Sequence, residues 1–339
     1  MLYNVSVLNF FAVARVHVVP HGQRDGLGKL MKPHEGRKRR WGDRKDGFLV
    51  RNQDPMSRLE PYIMPKKMDG WVLFEDELDI TETEEFIRKM RMGELPNLSM
   101  YEVVYATMVR ALVEVPELNR FVKHSKVYSR NTIKGSMTVM KGMTRESDRT
   151  IIMPVFECED TLYDVVRRIK EETDAIDTTV KVEDDENKNA LDGLETLFCK
   201  LPGFLLSFVV GFFKFLDRYG WMPKKMTDML PFHSSFFLTN MGSIGLDAVY
   251  HHIYEFGTLT IFGAIGRKRV CYELQPDGTT KRAVKLKMQF VVDERAADGL
   301  AYAVGFRKIR YYITHPEMLL TPPEKIEFDK IDREKKKKK

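Results

Sequence analysis

The stretches FLTNMGSIG, residues 237–245, and DERAADG, residues 293–299, decide the fold. The first carries a predicted strand into a loop whose two glycines, Gly242 and Gly245, permit a tight turn and a close approach of the backbone. The second ends a predicted strand and leads into a helix that begins near Ala296. Each motif alone is a weak signal. Their order, together with a separation of about 55 residues, makes the pair the most specific feature of the sequence.

The chain on either side of this pair alternates strands and helices. Ser99 and Glu102 are spaced as a capping box ahead of an apolar helix, and Thr81 and Glu84 have the same spacing one helix earlier. After residue 231 the pattern is rich in strands and ends in a helix. The sequence therefore predicts an α/β body.

Residues 181–230 interrupt this body with an insertion, and residues 191–230 are rich in Phe, Leu and Met. We favour a buried insertion that packs on the core, because aromatic side chains at helical spacing are usually buried. The alternative is a hydrophobic lid or an element that lies on a membrane surface. The longest apolar run, residues 203–213, is shorter than the ~20 residues that a membrane span needs.

The positive charge of the chain lies at its ends. Residues 1–50 contain ten Lys/Arg against four Asp/Glu, and residues 335–339 are all lysine, so a net charge of +6 leaves the body mildly acidic. A nucleic-acid-binding protein usually concentrates its positive charge on a folded face, so we expect no nucleic-acid partner. We expect residues 1–45 to be a basic, unstructured segment and residues 331–339 to be a lysine-rich tail. We also expect residues 1–30 to be an extension ahead of a start at Met31.

The composition further limits the classes of protein to which the chain can belong. Of the 339 residues, 43% are hydrophobic and 31% are charged, which excludes wholesale disorder. The three cysteines are odd in number and widely spaced, so they predict neither a disulfide scaffold nor a zinc site, and we expect no metal. They indicate a reducing compartment, the cytoplasm.

The two motifs resemble those of the catalytic domain of 2-oxoacid dehydrogenase acyltransferases, the E2 components, which share a fold with chloramphenicol acetyltransferase. That family has a strand and loop similar to TISNLG, followed by DHRxxDG. Further agreement lies in residues 79–81 (DIT), 116–119 (PELN) and 154–155 (PV). The resemblance covers roughly residues 70–180 and 231–325. It implies one acyltransferase-like domain, residues 46–330, with a two-layer α/β sandwich of the chloramphenicol acetyltransferase type.

The resemblance assigns roles position by position. The hydroxyl that stabilises the oxyanion falls on Thr239 and comes from a neighbouring subunit. Asp298 takes the position of an aspartate that fixes the loop through an arginine, and Arg295 takes the position of the family's arginine. Asn240, Gly242 and Gly299 complete the structural motif.

The catalytic histidine of the family falls on Glu294, which is the main departure. An ordinary glutamate, with a pKa of about 4.3, is a weak base for a thiol near 8.5, although burial in an apolar channel strengthens such a base. Two interpretations of Glu294 stay open and equal: a catalytic base, or a salt bridge with Arg295 or a nearby lysine that holds the loop. His251 and His252 are weaker candidates for the base.

The resemblance implies an acyltransferase that uses a coenzyme A thioester, with a site shared between the subunits of a homotrimer. The lipoyl domain and the subunit-binding domain of a complete E2 are not recognised in the sequence, so we expect a stand-alone protein without a bound lipoyl group. The alternative is a catalytically inactive scaffold or a ligand-binding homologue. Contact with a membrane surface, through residues 204–213 and the lysine tail, is the least favoured hypothesis.

Overall fold

The structure is a computed structural model that describes residues 31–140, 149–182 and 202–332. The α-helices in these ranges are α1 (Pro55–Ile63), α2 (Thr81–Arg91), α3 (Met100–Glu114), α4 (Leu162–Val182), α5 (Gly203–Tyr219), α6 (Lys224–Met229) and α7 (Gly299–Thr314). The β-strands are β1 (Gly47–Leu49), β2 (Trp71–Asp79), β3 (Arg120–Lys123), β4 (Lys126–Arg130), β5 (Ile133–Met140), β6 (Arg149–Ile152), β7 (Val155–Phe156), β8 (Phe236–Asn240), β9 (Ile261–Leu274) and β10 (Thr280–Asp293).

The main sheet is mixed, with the strand order β2-β10-β9-β8-β5-β6, and β7 pairs with β5. β8 is parallel to both of its neighbours, β5 and β9. The long strands β9 and β10 form an antiparallel hairpin, and β2 pairs with the outer side of β10. A smaller sheet has the order β1-β4-β3. The register of β8, β9 and β10 fixes the positions of the two motifs relative to each other.

Helices cover one face of the main sheet. α3 is buried along almost its whole length because nearly all of its residues are apolar. Phe306 of α7 stacks on Phe74 of β2, with the ring centroids 4.2 Å apart, and meets Phe290 of β10 edge to face at 5.0 Å. These contacts belong to one large apolar core between helices and sheet. The predicted two-layer α/β architecture is confirmed.

The other face of the sheet carries a second, smaller apolar cluster. Its centre is the stacked pair Phe237 and Phe262, whose ring centroids are 4.7 Å apart. Side chains alternate between the two faces of a strand, so Thr239, two residues after Phe237, lies on this same face.

The two predicted capping boxes have different outcomes. The Ser99 hydroxyl accepts from the backbone N–H of Glu102, and the Glu102 carboxylate accepts from that of Ser99, so this box is confirmed. The box at Thr81 is wrong, because Thr81 is the first residue of α2 and its N–H donates to Asp79. Asp79 two residues upstream offers the better acceptor.

The long helix of the insertion, α5, is largely exposed, and Asp217 is its one buried residue. The prediction of a buried insertion is therefore wrong for this helix. Residues 183–201, the first part of the insertion, lie outside the described residues.

Residues 31–45 contact the body, which differs from the expected unstructured arm. The guanidinium of Arg44 is buried, pairs with Asp46 at 2.9 Å and donates to the backbone carbonyl of Asp217 at 2.9 Å. Arg37 and Arg40 both pair with Asp332. Residues 1–30 and most of the lysine-rich tail, residues 333–339, lie outside the described residues.

Candidate functional site

The DERAADG loop is held by backbone hydrogen bonds where β10 ends. The N–H of Asp293 donates to the carbonyl of Thr260, and the N–H of Glu294 donates to the carbonyl of Gly70 at 2.9 Å. The turn that contains Glu294 is thus hydrogen-bonded to the residues that directly precede β9 and β2.

Arg295 is engaged by Asp293, inside the same motif. Its Nε and Nη2 donate to the two carboxylate oxygens of Asp293, both at 2.8 Å, and Nη1 donates to the carbonyl of Met64. Both side chains are buried, so this is a desolvated bidentate pair. Burial opposes the charge on Arg295, but the hydrogen bonds from Arg295 to Asp293 and the charge of Asp293 leave the pKa of Arg295 raised. Sequence reasoning missed Asp293, although a carboxylate beside an arginine at the end of a buried strand is the signal for such a pair.

Asp298 has a different contact from the one the resemblance implies. Its carboxylate accepts from the N–H of Ala301 at 2.7 Å, and it is the N-cap of α7. Gly299, the next residue, begins that helix. The loop is therefore fixed through Asp293 and Arg295, and Asp298 starts the helix that follows.

Glu294 lies on a cavity of about 520 Å³. Its side chain is half-buried, and within residues 31–140, 149–182 and 202–332 the structure records no ion pair for it. A nearby carboxyl is that of Glu60, whose pKa is raised by burial and by the negative charge of Glu294. One of the two open interpretations is a salt bridge of Glu294 with Arg295 or with a nearby lysine. Its Arg295 half is wrong, because Arg295 binds Asp293.

The lining of this cavity is acidic. Besides Glu294, its lining residues include six more carboxylates: Asp54, Glu60, Glu114, Glu117, Asp298 and Glu327. Of the three cationic residues that line it, Arg295 is paired with Asp293 and Arg120 with Asp329. The cavity therefore favours a cationic or neutral ligand group over a phosphate.

A second cavity, of about 290 Å³, lies on the other side of Arg295 and has a basic lining. Lys67 is buried here and donates to the backbone carbonyls of Tyr254 and Gly257 at 2.9 and 3.0 Å. Burial, with a contribution from the charge of Lys123, lowers the pKa of Lys67 to about 7. Lys214 and Arg218 also line this cavity. The loop with Glu294 thus separates an acidic cavity from a basic one.

Asp217 joins α5 to this basic cavity. Its carboxylate accepts from Lys123 at 2.5 Å, from the N–H of Gly257 at 3.2 Å and from Nε2 of His233 at 2.9 Å. Burial alone would raise the pKa of Asp217, but His233 and Lys123 lower it well below its usual range. Sequence reasoning missed this cluster, although Asp217 is the one acidic residue among the apolar residues 203–219.

The strand and loop that carry Thr239 are shaped by local contacts. The Thr239 side chain is half-buried, and Asn240 accepts from the N–H of Ser243 at 3.1 Å, which closes the turn. A Cβ at Gly242 would lie 2.6 Å from the carbonyl oxygen of Gly266, so the loop packs against β9 only with glycine here. The close approach predicted for this loop is present at Gly242.

Thr239 and Glu294 do not meet within one chain. Thr239 is level with Ala264 of β9, and Ala264 is level with Gln289 of β10, five residues before Glu294. At about 3.3 Å per residue, the two side chains are separated by about 16 Å along the strands and by two strand spacings of about 4.8 Å. Thr239 and Glu294 therefore lie at different levels of the sheet.

The histidines considered as substitute bases have other contacts. His251 stacks on Phe262 with the ring centroids 4.1 Å apart, on the sheet face that also carries Thr239. Burial lowers the pKa of both His251 and His252. His233 lies in a short 3₁₀ turn ahead of β8 and binds Asp217.

The described residues contain no group of three or more His, Cys, Asp or Glu arranged to hold a metal ion. None of the helices in the described ranges is both long enough and apolar enough to cross a membrane.

Several solved acetyltransferase structures are similar to this one. The structure is similar to a probable dihydrolipoamide acetyltransferase from Listeria monocytogenes, at a TM-score of 0.47 and 13% identity over 78% of this chain and 94% of that chain. It is similar to the dihydrolipoamide acetyltransferase of Azotobacter vinelandii, at a TM-score of 0.46 and 14% identity over 79% and 93% of the two chains. A chloramphenicol acetyltransferase matches at a TM-score of 0.44 and 10% identity over 78% and 97%.

Sequence comparison adds no relative. No family model matches the chain, and no curated protein matches it.

Proposed function

We propose that this protein is an acyltransferase that moves an acyl group between a coenzyme A thioester and an acceptor, with Glu294 as the general base. The observation that carries the proposal is the position of Glu294. It lies on a rigid turn and opens on a cavity, while the neighbouring cation Arg295 binds Asp293 instead. A carboxylate in such a place is available to take a proton from a nucleophile.

The proposed step balances as follows. The Glu294 carboxylate takes the proton of the attacking thiol, hydroxyl or amine, and the nucleophile adds to the thioester carbonyl. The resulting oxyanion accepts a hydrogen bond from the Thr239 hydroxyl. When the intermediate collapses, the carbon–sulfur bond breaks, and the leaving thiolate of coenzyme A takes up the proton from Glu294.

We propose that two copies of the chain complete one site, within a homotrimer. Thr239 and Glu294 lie too far apart in one chain to act on the same carbonyl, so the hydroxyl has to come from a neighbouring copy. Like the activity itself, a cytoplasmic location is part of this proposal.

A catalytically inactive, ligand-binding homologue is the second candidate. The acidic lining of the cavity at Glu294 favours it. Two of its seven carboxylates, Glu114 and Glu327, pair with Lys308 and Lys325, and the other five repel the phosphates of coenzyme A. The basic cavity, which Arg295 also lines, supports the first candidate, since the five Lys and Arg residues in its lining outnumber its two acidic residues.

Thermal unfolding in a concentration series of coenzyme A and acetyl-coenzyme A separates the two candidates. A ligand at 100 times its dissociation constant stabilises the folded state by about 2.7 kcal/mol, which a melting curve resolves. We expect a saturable rise in Tm with the wild type and with the matched variant Glu60→Gln, which changes a carboxyl of the same cavity. No rise with either compound would contradict the acyltransferase proposal and favour the second candidate.

A further inference from the structure

α5 carries a stripe of exposed aromatic side chains. Their spacing of three or four residues places them on one face of the helix. The members of this aromatic stripe and their exposed fractions are Phe204 (77%), Phe208 (71%), Phe212 (51%), Phe215 (47%) and Tyr219 (43%). Trp221, directly after the helix, is 62% exposed. Scattered exposed apolar residues are ordinary on proteins, but a contiguous stripe of this size marks an interaction surface.

The body of the protein holds the opposite side of the same helix. Asp217, a little under half a turn away from the aromatic stripe at 100° per residue, is buried among Lys123, His233 and Gly257. Leu206 and Phe213 lie on the same side as Asp217 and are half-buried. The helix is thus anchored through one side. The aromatic stripe points away from the body except at Tyr219, whose ring centroid lies 5.3 Å from that of His124.

The charges beside the aromatic stripe are positive. Lys214 and Arg218 lie on one turn along its edge, whereas Lys224, which begins the next helix, is paired with Asp228. The only acidic residue of α5, Asp217, is buried and paired. An aromatic stripe with a cationic border complements a surface that is apolar inside and anionic at its rim, as a bilayer with acidic headgroups is.

We propose that α5 lies in the interface of an anionic lipid bilayer, with the aromatic stripe among the upper acyl chains and with Lys214 and Arg218 at the phosphates. Seventeen residues make a helix about 25 Å long, which is suited to lying in the membrane plane. Tyr219 and Trp221, at the end of the helix, are the residue types that favour the headgroup region.

A second copy of the chain that pairs through its own aromatic stripe is a poorer occupant of this surface. Two copies that paired through their aromatic stripes would bring Lys214 and Arg218 of both copies to one border, where α5 offers no exposed acidic residue to neutralise them. Like charges across an interface oppose association. The same cations attract an anionic bilayer.

Sedimentation with vesicles tests the proposal on the full chain. We expect the protein to sediment with vesicles of phosphatidylcholine and phosphatidylserine at low salt, less at high salt, and weakly with phosphatidylcholine alone. Trp221 should report the contact as a blue shift of fluorescence that Trp221→Phe removes.

Two double variants give the decisive comparison. Phe204→Ser/Phe208→Ser should lower the partition coefficient about a hundredfold, because two phenylalanines no longer enter the bilayer. Tyr272→Ser/Leu274→Ser is the matched control, since these residues of β9 are 71% and 75% exposed on a different surface, and it should bind like the wild type. All four substitutions are at exposed positions, so both variants should unfold at the wild-type temperature.

Three results would overturn the proposal. The first is a wild type that fails to sediment with anionic vesicles at low salt. The second is an equal loss of binding in both double variants. The third is a dimer, seen by light scattering, that only Phe204→Ser/Phe208→Ser disperses while vesicle binding is absent, because the aromatic stripe would then be covered by a second copy.

Discussion

At the scale of single residues, Asp217 shows how one buried carboxylate holds two parts of the fold together. It is the buried partner of Lys123, of His233 and of the N–H of Gly257, and it ties α5 to the body. The Lys123 ammonium is itself buried, and burial lowers its pKa although Asp217 opposes this. Neither charge is tolerated alone in such surroundings.

We therefore expect Asp217→Asn to reduce the free energy of unfolding by about 3–5 kcal/mol, because the change leaves Lys123 buried without a counter-ion. Denaturant unfolding at neutral pH measures this loss. The exposed carboxylate Asp277, changed to Asn, is the control and should cost far less. Equal losses in the two variants would contradict the role of Asp217 as an anchor.

The same carboxylate predicts a dependence of stability on pH. The pKa of Asp217 is lower in the folded state than in the unfolded chain, where it is about 3.9, so its contribution is complete above that pH and is lost as the pH falls further. Wild-type stability should fall between about pH 5 and pH 2, and Asp217→Asn should flatten this decline. A decline of unchanged slope in the variant would assign the acid sensitivity to other carboxylates.

At the scale of elements, the two motif loops depend on their glycines to different degrees. A Cβ at Gly242 would lie 2.6 Å from the carbonyl oxygen of Gly266 and 2.9 Å from its carbonyl carbon, and this is backbone that cannot rotate away. Gly299 has no atom within 4 Å of such a Cβ, and it begins a helix. Both glycines belong to the structural motif that the resemblance implies, but only Gly242 is packed against backbone.

Gly242→Ala should therefore lower the free energy of unfolding by about 1–3 kcal/mol, the usual result of overpacking. Gly299→Ala should leave it nearly unchanged. Thermal melts of the two variants, side by side, check this pair. A larger loss for Gly299→Ala than for Gly242→Ala would contradict the packing of the loop against β9.

Short sequence patterns predict some elements because the interactions that form these elements are between neighbouring residues. The Ser99–Glu102 box and the apolar helix behind it need only neighbouring residues to form. Thr81 and Glu84 have the same spacing, but Asp79 competes for the N–H of Thr81, and spacing alone does not show that. The sequence also could not predict the exposure of α5, because an apolar sequence does not indicate whether another surface covers the helix.

At the scale of the whole molecule, the candidate site is divided. Sequence motifs selected Thr239 and Glu294, and the register of β8, β9 and β10 then separates them by about 16 Å along the strands. The motifs could not show this separation, because it follows from long-range pairing. The motifs also could not show that Arg295 pairs with Asp293. This pair excludes a salt bridge between Arg295 and Glu294.

A divided site predicts an oligomer. Light scattering should give a particle three times the 39.6 kDa mass of the chain. Mixing two inactive variants, Thr239→Ala and Glu294→Gln, should then restore part of the activity, because mixed trimers contain some sites with both intact residues. A monomer with full activity would contradict the shared site.

The most direct test of the account is the rate of acyl transfer from acetyl-coenzyme A by the wild type, Glu294→Gln, Glu294→His and the control Glu60→Gln. If Glu294 is the general base, Glu294→Gln should lower kcat by about 10²–10⁴, Glu294→His should retain or exceed wild-type activity near neutral pH, and Glu60→Gln should change kcat little. Two results would contradict the account. Wild-type activity in Glu294→Gln would show that Glu294 is not the base. Transfer by Glu294→His but none by the wild type would show that the glutamate makes the site inactive.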